Sequence, residues 1–243
     1  MRKVFYLFAI AAMVAVACSK DDDNKNGGNN KGGDSGEYVQ PIAIDGDFSD
    51  WAKLDATKVA TAKNAGEDAN HTALKLVKVY ADPYFVFVYF EIDEDQIADR
   101  SWVPFHIYWN GDGNDATGGY GDQWTDASVD VLFEGAVFAD GEWCSYDPGA
   151  FNWIGEVNGL GWSWCDPALL PEGSGLCQGA GKGNAYELLF MREMYPVGKL
   201  ADNFTVGFDI QQNWNSVGVL PNLEMTDDNP NGLAPMLKVT TVK

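Results

Sequence analysis

Along "ALKLVKVYADPYFVFVYFEID", Ala73–Asp93, apolar positions interleave with Lys75 and Lys78 as far as Ala81, then run unbroken from Phe85 to Phe90. The first pattern is that of a strand with one wet face. The second, apolar on both faces and short, is that of a central strand. Two strands joined at Asp82-Pro83 are therefore expected. Val103–Trp109, Val129–Phe133, Val137–Phe138, Tyr186–Met191, Phe204–Ile210 and Leu237–Val242 are patterned in the same way. "NGDG", "ADGE", "GKGN" and "DDNPNG" punctuate them as turns. The best helical pattern, Arg192–Leu200, is short and interrupted by Pro196. Many short strands with Gly-rich turns predict an all-β fold: an antiparallel β-sandwich of two packed sheets, jelly-roll-like, with long loops and little helix.

The N-terminal pattern differs. After the basic "MRK" comes the fourteen-residue apolar run "VFYLFAIAAMVAVA", too short to span a bilayer stably and shaped like a signal peptide. It stops at "AVAC", which resembles the lipobox of bacterial lipoproteins. The resemblance implies removal of residues 1–17 and acylation of Cys18, palmitate included; an ordinary secretory signal with a chance cysteine is the alternative. Residues 18–37 contain "SKDDDNKNGGNNKGGDSGE", without one apolar side chain, and are expected to form a flexible tether. Lys20 and the aspartates after it resemble the surface-export signal of Bacteroidota lipoproteins; a generic solvating linker is the other reading. The expectation is an outer membrane lipoprotein exposed at the cell surface, with a periplasm-facing body as the alternative. Residues 38–243 show no linker-like break and read as one domain.

Loss of residues 1–17 leaves 14 basic against 36 acidic side chains, a formal charge of −22. That field disfavours nucleic acid and anionic lipid, leaving neutral or cationic ligands. With Cys18 acylated, Cys144, Cys165 and Cys177 remain. An exported chain can form one disulfide from them. Cys165–Cys177, which would staple the Pro- and Gly-rich "CDPALLPEGSGLC", is favoured, and Cys144–Cys165 is its rival. No paired His or CxxC accompanies them, so this is not a zinc pattern.

"IDGDFSDW", Ile44–Trp51, together with "LKVYADPYFVFVYFEID", resembles the opening of family 9 carbohydrate-binding modules and related DOMON-type sandwiches. The matching residues are Asp45, Gly46, Asp50 and Trp51, then Val79–Asp82, Tyr84–Glu91 and Asp93. "YELLF", Tyr186–Phe190, is similar to a late strand of that family, although Arg192 and Glu193 stand where its proline region is expected. The resemblance implies a sandwich whose DG…DW segment is architectural. Gly46 suits a tight turn, Asp45 bonds backbone amides, and Trp51 caps the sandwich edge. Residues 103–135 also resemble Bacteroidota lipoproteins of this layout.

Three segments compete as sites. In "NGDGNDATGGYG", Asn110–Gly121, the residues Asn110, Asp112 and Asn114 alternate as calcium ligands do, with Asp115 beside them. The match to an EF-hand loop breaks at Asp115 and Gly121, and a hydrogen-bonded Asx-rich hairpin is the alternative to a structural calcium. "EWCSYDPGAFNWIGEVNGLGWSWC" holds four Trp, one Tyr and one Phe. Sugars present apolar C–H faces bordered by hydroxyls, so aromatic planes beside amides or carboxylates suit them. Trp162 and Trp164 share a strand face, and Trp153 lies near Glu156 and Asn158. "DIQQNWNSVG" sets Gln211, Gln212, Asn213 and Asn215 around Trp214, a donor and acceptor mixture suited to a neutral polyol. For both aromatic segments, plain packing is the competing reading.

No nucleophile elbow, H-E-x-x-H or P-loop occurs. His71 and His106 are the only histidines; His106 reads as a satisfied strand residue, and nothing selects a haem ligand pair. The expectation is a non-catalytic module binding a neutral oligo- or polysaccharide through Trp153, Trp162, Trp164, Trp214, Asn213 and Gln211. A scaffold docking a surface protein through the Trp cluster is the alternative, and a glycoside-active enzyme is third.

Overall fold

A computed structural model describes residues 38–120, 122–157, 160–164 and 177–243. The signal, the tether, Cys18 and Cys165 lie outside the described residues, and so does the side chain of Trp164. Gln40–Lys243 form one compact unit. Its strands are β1 (Ala60–Lys63), β2 (Leu74–Ala81), β3 (Phe85–Ile92), β4 (Trp102–Asn110), β5 (Val131–Ala139), β6 (Glu142–Trp143) and β7 (Gly149–Val157). They continue with β8 (Leu160–Trp164), β9 (Cys177–Lys182), β10 (Ala185–Met191), β11 (Asn203–Gln212), β12 (Asn215–Leu220) and β13 (Leu237–Thr240).

Two antiparallel sheets pack together as a sandwich. The smaller has the order β1-β2-β3-β10-β9; the larger is β12-β11-β4-β5-β7-β8, with β13 on β11 and β6 on β5. β3 holds the middle of the smaller sheet, as its doubly apolar run requires. Its Val86, Val88 and Phe90 face the larger sheet, where Phe105, Ile107 and Trp109 answer from β4. Phe90 stacks on Phe105 at 4.4 Å, and Phe133 lies 4.9 Å from Phe190.

Two expected elements differ. Of Val129–Phe133, Val129 bridges Gly119, while the part from Val131 onward joins Val137–Phe138 in one strand, β5, which runs through Gly135. A Cβ there would come within 2.8 Å of the Tyr146 ring, so the glycine is a packing requirement inside a strand rather than a break. Tyr146 uses that space to donate its hydroxyl to Phe105 O at 2.8 Å. The Arg192–Leu200 helix is reduced to one 3-10 turn, Arg192–Met194. Buried Arg192 donates instead to Leu200 O and Ala201 O, which fold the segment back on itself.

The DG…DW segment is architectural, though not as an edge cap. Trp51 is buried on the outer face of the smaller sheet with Phe87, Tyr89 and Leu189. Its Nε1 donates to Glu187 Oε2 at 3.1 Å, while Glu187 Oε1 accepts from the amides of Asp45 and Gly46. Cys144 and Cys177 form no disulfide among the described residues; both expected pairings, Cys165–Cys177 and Cys144–Cys165, involve Cys165 and so lie outside them.

Candidate functional site

The outer face of the larger sheet gathers the polar chemistry. Strand alternation sends Phe105, Ile107 and Trp109 inward and leaves His106 and Tyr108 on the opposite face. Register then sets Asp209 of β11, His106 of β4 and Glu134 of β5 side by side in one row across three strands. His106 Nε2 lies 3.2 Å from Glu134 Oε2 without hydrogen-bond alignment. Its Nδ1 is 3.2 Å from Gln211 Nε2 and 3.4 Å from the Tyr108 hydroxyl.

Asp209 is fully buried, and three donors converge on its Oδ2: Gln211 Nε2 at 2.6 Å, Ser216 Oγ at 2.9 Å and Gln123 Nε2 at 3.2 Å. Burial outweighs those donors and pushes the carboxyl above its ordinary range. Asp209 Oδ1 has no partner among the described residues. Glu134, half-buried, is instead held below the usual range by the His106 imidazole beside it. One row thus carries two carboxyls tuned in opposite directions.

Aromatic rings flank the row. Trp214 sits 6.5 Å from His106, centroid to centroid, and the path continues through Tyr108, Tyr120 and Trp162 at successive spacings of 6.1, 5.4 and 5.5 Å. Trp124 lies beneath, with its ring over Gly207, where a Cβ would approach to 2.5 Å. The two aromatic segments picked out in the sequence therefore converge on one face.

Trp214 is unlike the others. Gln212 pairs with Asn215, so Asn213 and Trp214 form a two-residue hairpin loop with φ values of +50° and +63°. Such a loop needs positive φ at both positions; asparagine is usual at the first and glycine at the second. A bulky side chain in the left-handed region is a true outlier. This indole is 64% exposed, so burial does not explain why it is there.

The remaining expected residues are distributed unevenly. Trp153 and Trp162 are half-buried and pack T-shaped on each other at 5.1 Å. Gln211 is buried, with its amide spent on Asp209 and His106, so it orients the row from below. Asn213 is exposed, and its carbonyl takes Asn215 Nδ2. His106, Glu134, Asp209, Tyr108, Tyr120 and Gln123 were not singled out as ligand-site residues by sequence reasoning. Alternation within "FHIYW" was the available signal; the partners came from cross-strand register.

The oxygens of Asp112, Asn114 and Asp115 are engaged within the Asn110–Gly121 loop, whereas Asn110 Oδ1 is buried without a partner among the described residues. Asp112 Oδ1 accepts from Asn114 N and its Oδ2 from Thr117 Oγ1; Asn114 Oδ1 accepts from Ala116 N; Asp115 Oδ1 accepts from Asn110 Nδ2. The bonds from Asn114 N and Ala116 N are Asx-turn bonds, and the other two join side chains across the loop. Among the described residues no group of three His, Cys, Asp or Glu side chains is placed to hold a metal ion. Comparison of the chain with protein-family models and with curated proteins gives no match.

Proposed function

We propose that residues 38–243 form a binding module for an uncharged glycan, carried by a surface lipoprotein, with the outer face of the larger sheet as its platform. The observation that carries this reading is Trp214: an exposed indole kept in a strained backbone position beside a row of amide, imidazole and carboxylate groups. A pyranose ring stacks its C–H face on such a plane while its hydroxyls meet the polar row. Strain retained at an exposed side chain points to a role outside folding. The burial of Asp209 under Gln123 and Gln211 favours binding over hydrolysis, because a glycosidic oxygen does not reach its carboxyl.

Isothermal titration against a panel of neutral oligosaccharides tests the reading, with saturable heat in the wild type that Trp214→Ala removes. No heat with any sugar overturns it. A second reading, docking of a surface protein, draws on Trp102, which is 56% exposed at the start of β4. A missing sugar response together with a stoichiometric, co-purifying surface protein favours that reading.

A further inference from the structure

A cleft of about 220 Å³ opens beside the platform. Asn70 and His71 form one wall, Asp122 and Gln123 a second, Asn231 and Leu233 a third, and Val219 also lines it. The walls are held in place by bonds that leave three of the lining side chains unspent. His71 adopts φ +55° and its carbonyl accepts from Val219 N at 2.9 Å. Asn222 ties two loops together, accepting from Ala65 N and donating to Asn70 O. Asn229 clamps Leu233 through both its N–H and its carbonyl. The side chains of Asn70, Asp122 and Asn231, by contrast, make no hydrogen bond among the described residues.

Gln123 joins this cleft to the platform. Its Nε2 reaches Asp209 and Ser216, while its Oε1 is buried without a partner among the described residues. The position of the cleft matters as much as its lining. Val219 is the register partner of Asp209 on β12, so the cleft lies on one flank of the polar row. The rings from Tyr108 to Trp162 lead away over the other flank. The cleft and the ring path thus leave the polar row over opposite flanks, and Asn222 is part of the cleft lining. No lysine or arginine lines it, and Asp122 does, a balance that repels anionic sugars.

Resting on the function proposed above, we infer that the glycan is branched and that this cleft takes a one-residue, uncharged branch while the main chain lies on the Trp214 platform. Amide groups and one carboxylate supply the donors and acceptors that vicinal hydroxyls need. The volume is below the range of about 300–1,000 Å³ typical of drug-sized ligands and suits a single ring.

The test titrates the full mature chain with mannotetraose, cellotetraose and maltotetraose, and with counterparts bearing one galactosyl, xylosyl or glucosyl branch. One branched sugar is expected to bind at least about tenfold more tightly than its linear backbone. Asn231→Phe, in an exposed turn, fills the cleft; Asn70→Ala removes a branch contact. Both are expected to erase the preference while leaving linear affinity and melting temperature unchanged. Trp214→Ala is expected to weaken linear and branched sugars alike. Equal affinity for branched and linear sugars in the wild type, or a preference that survives Asn231→Phe, overturns the branch inference and leaves the platform standing. Binding of neither class overturns the platform, and the inference falls with it.

Discussion

Trp214 permits an experiment that separates backbone strain from side-chain contact. At φ +63° a residue with a Cβ carries a cost of about 1–2 kcal/mol. The indole is 64% exposed, so about a third of its surface is covered. Taking up to ~250 Å² for a tryptophan side chain and ~25 cal/mol per Å², that contact is worth about 2 kcal/mol. Trp214→Ala loses the contact and keeps the strain. Trp214→Gly loses the contact, releases the strain, and adds about 0.5–1 kcal/mol of unfolded-chain entropy. The glycine variant is therefore expected to be as stable as the alanine variant, or more stable by up to about 1.5 kcal/mol, the reverse of the order at an ordinary strand or helix position. Urea unfolding reads the difference directly, and thermal unfolding shows it as about 2–4 °C per kcal/mol for a domain of this size. Both variants are expected to lose glycan affinity by at least about tenfold. An alanine variant clearly more stable than the glycine variant would refute the strain argument. Wild-type glycan affinity in both would refute the platform.

Asp209→Asn tests the buried row. The raised carboxyl of Asp209 contributes stability that is present below the unfolded value of about 3.9 and lost as pH rises through the folded one. Its Oδ1 accepts nothing among the described residues, so the asparagine amide fits there. The variant should gain on the wild type as pH rises from 3 to 7 in urea unfolding (about those limits, set by the unfolded carboxyl); a variant that loses ground at neutral pH contradicts this. Trp51→Ala, which removes a buried ring, should cost about 3–5 kcal/mol while the folded fraction binds glycan normally; an affinity loss at constant fold would move Trp51 into the site. For the Asn110–Gly121 loop, whose carboxylates are taken by its own amides and hydroxyl, melting temperatures in calcium and in EDTA should coincide. A rise in calcium would restore the metal reading.

Much of the architecture was open to sequence reading because burial imposes period two on a strand that is wet on one face, and removes the period from one covered on both. β2, β3, β4, β10 and β11 were legible for that reason. β9, "CQGAGK", and β12, "NSVGVL", were not, since glycine and small side chains carry no burial pattern until a neighbour covers them. Gly135 looked like a break and is a strand residue, because only the fold brings the Tyr146 ring to it.

The site divides in the same way. The sequence by itself marked Trp214 among amides and the tryptophans of 142–165, since an aromatic side chain in polar surroundings is conspicuous wherever it falls. It also implied a strongly acidic body, because formal charge needs no fold. Only tertiary structure decided which indoles are exposed, and that Asp209, His106 and Glu134 stand in one row. Residues 134 and 209 are far apart in the chain and meet through the register of β5 and β11 on β4. That register follows from packing one face of each strand into the core, and a slip of one residue would turn the row inside out.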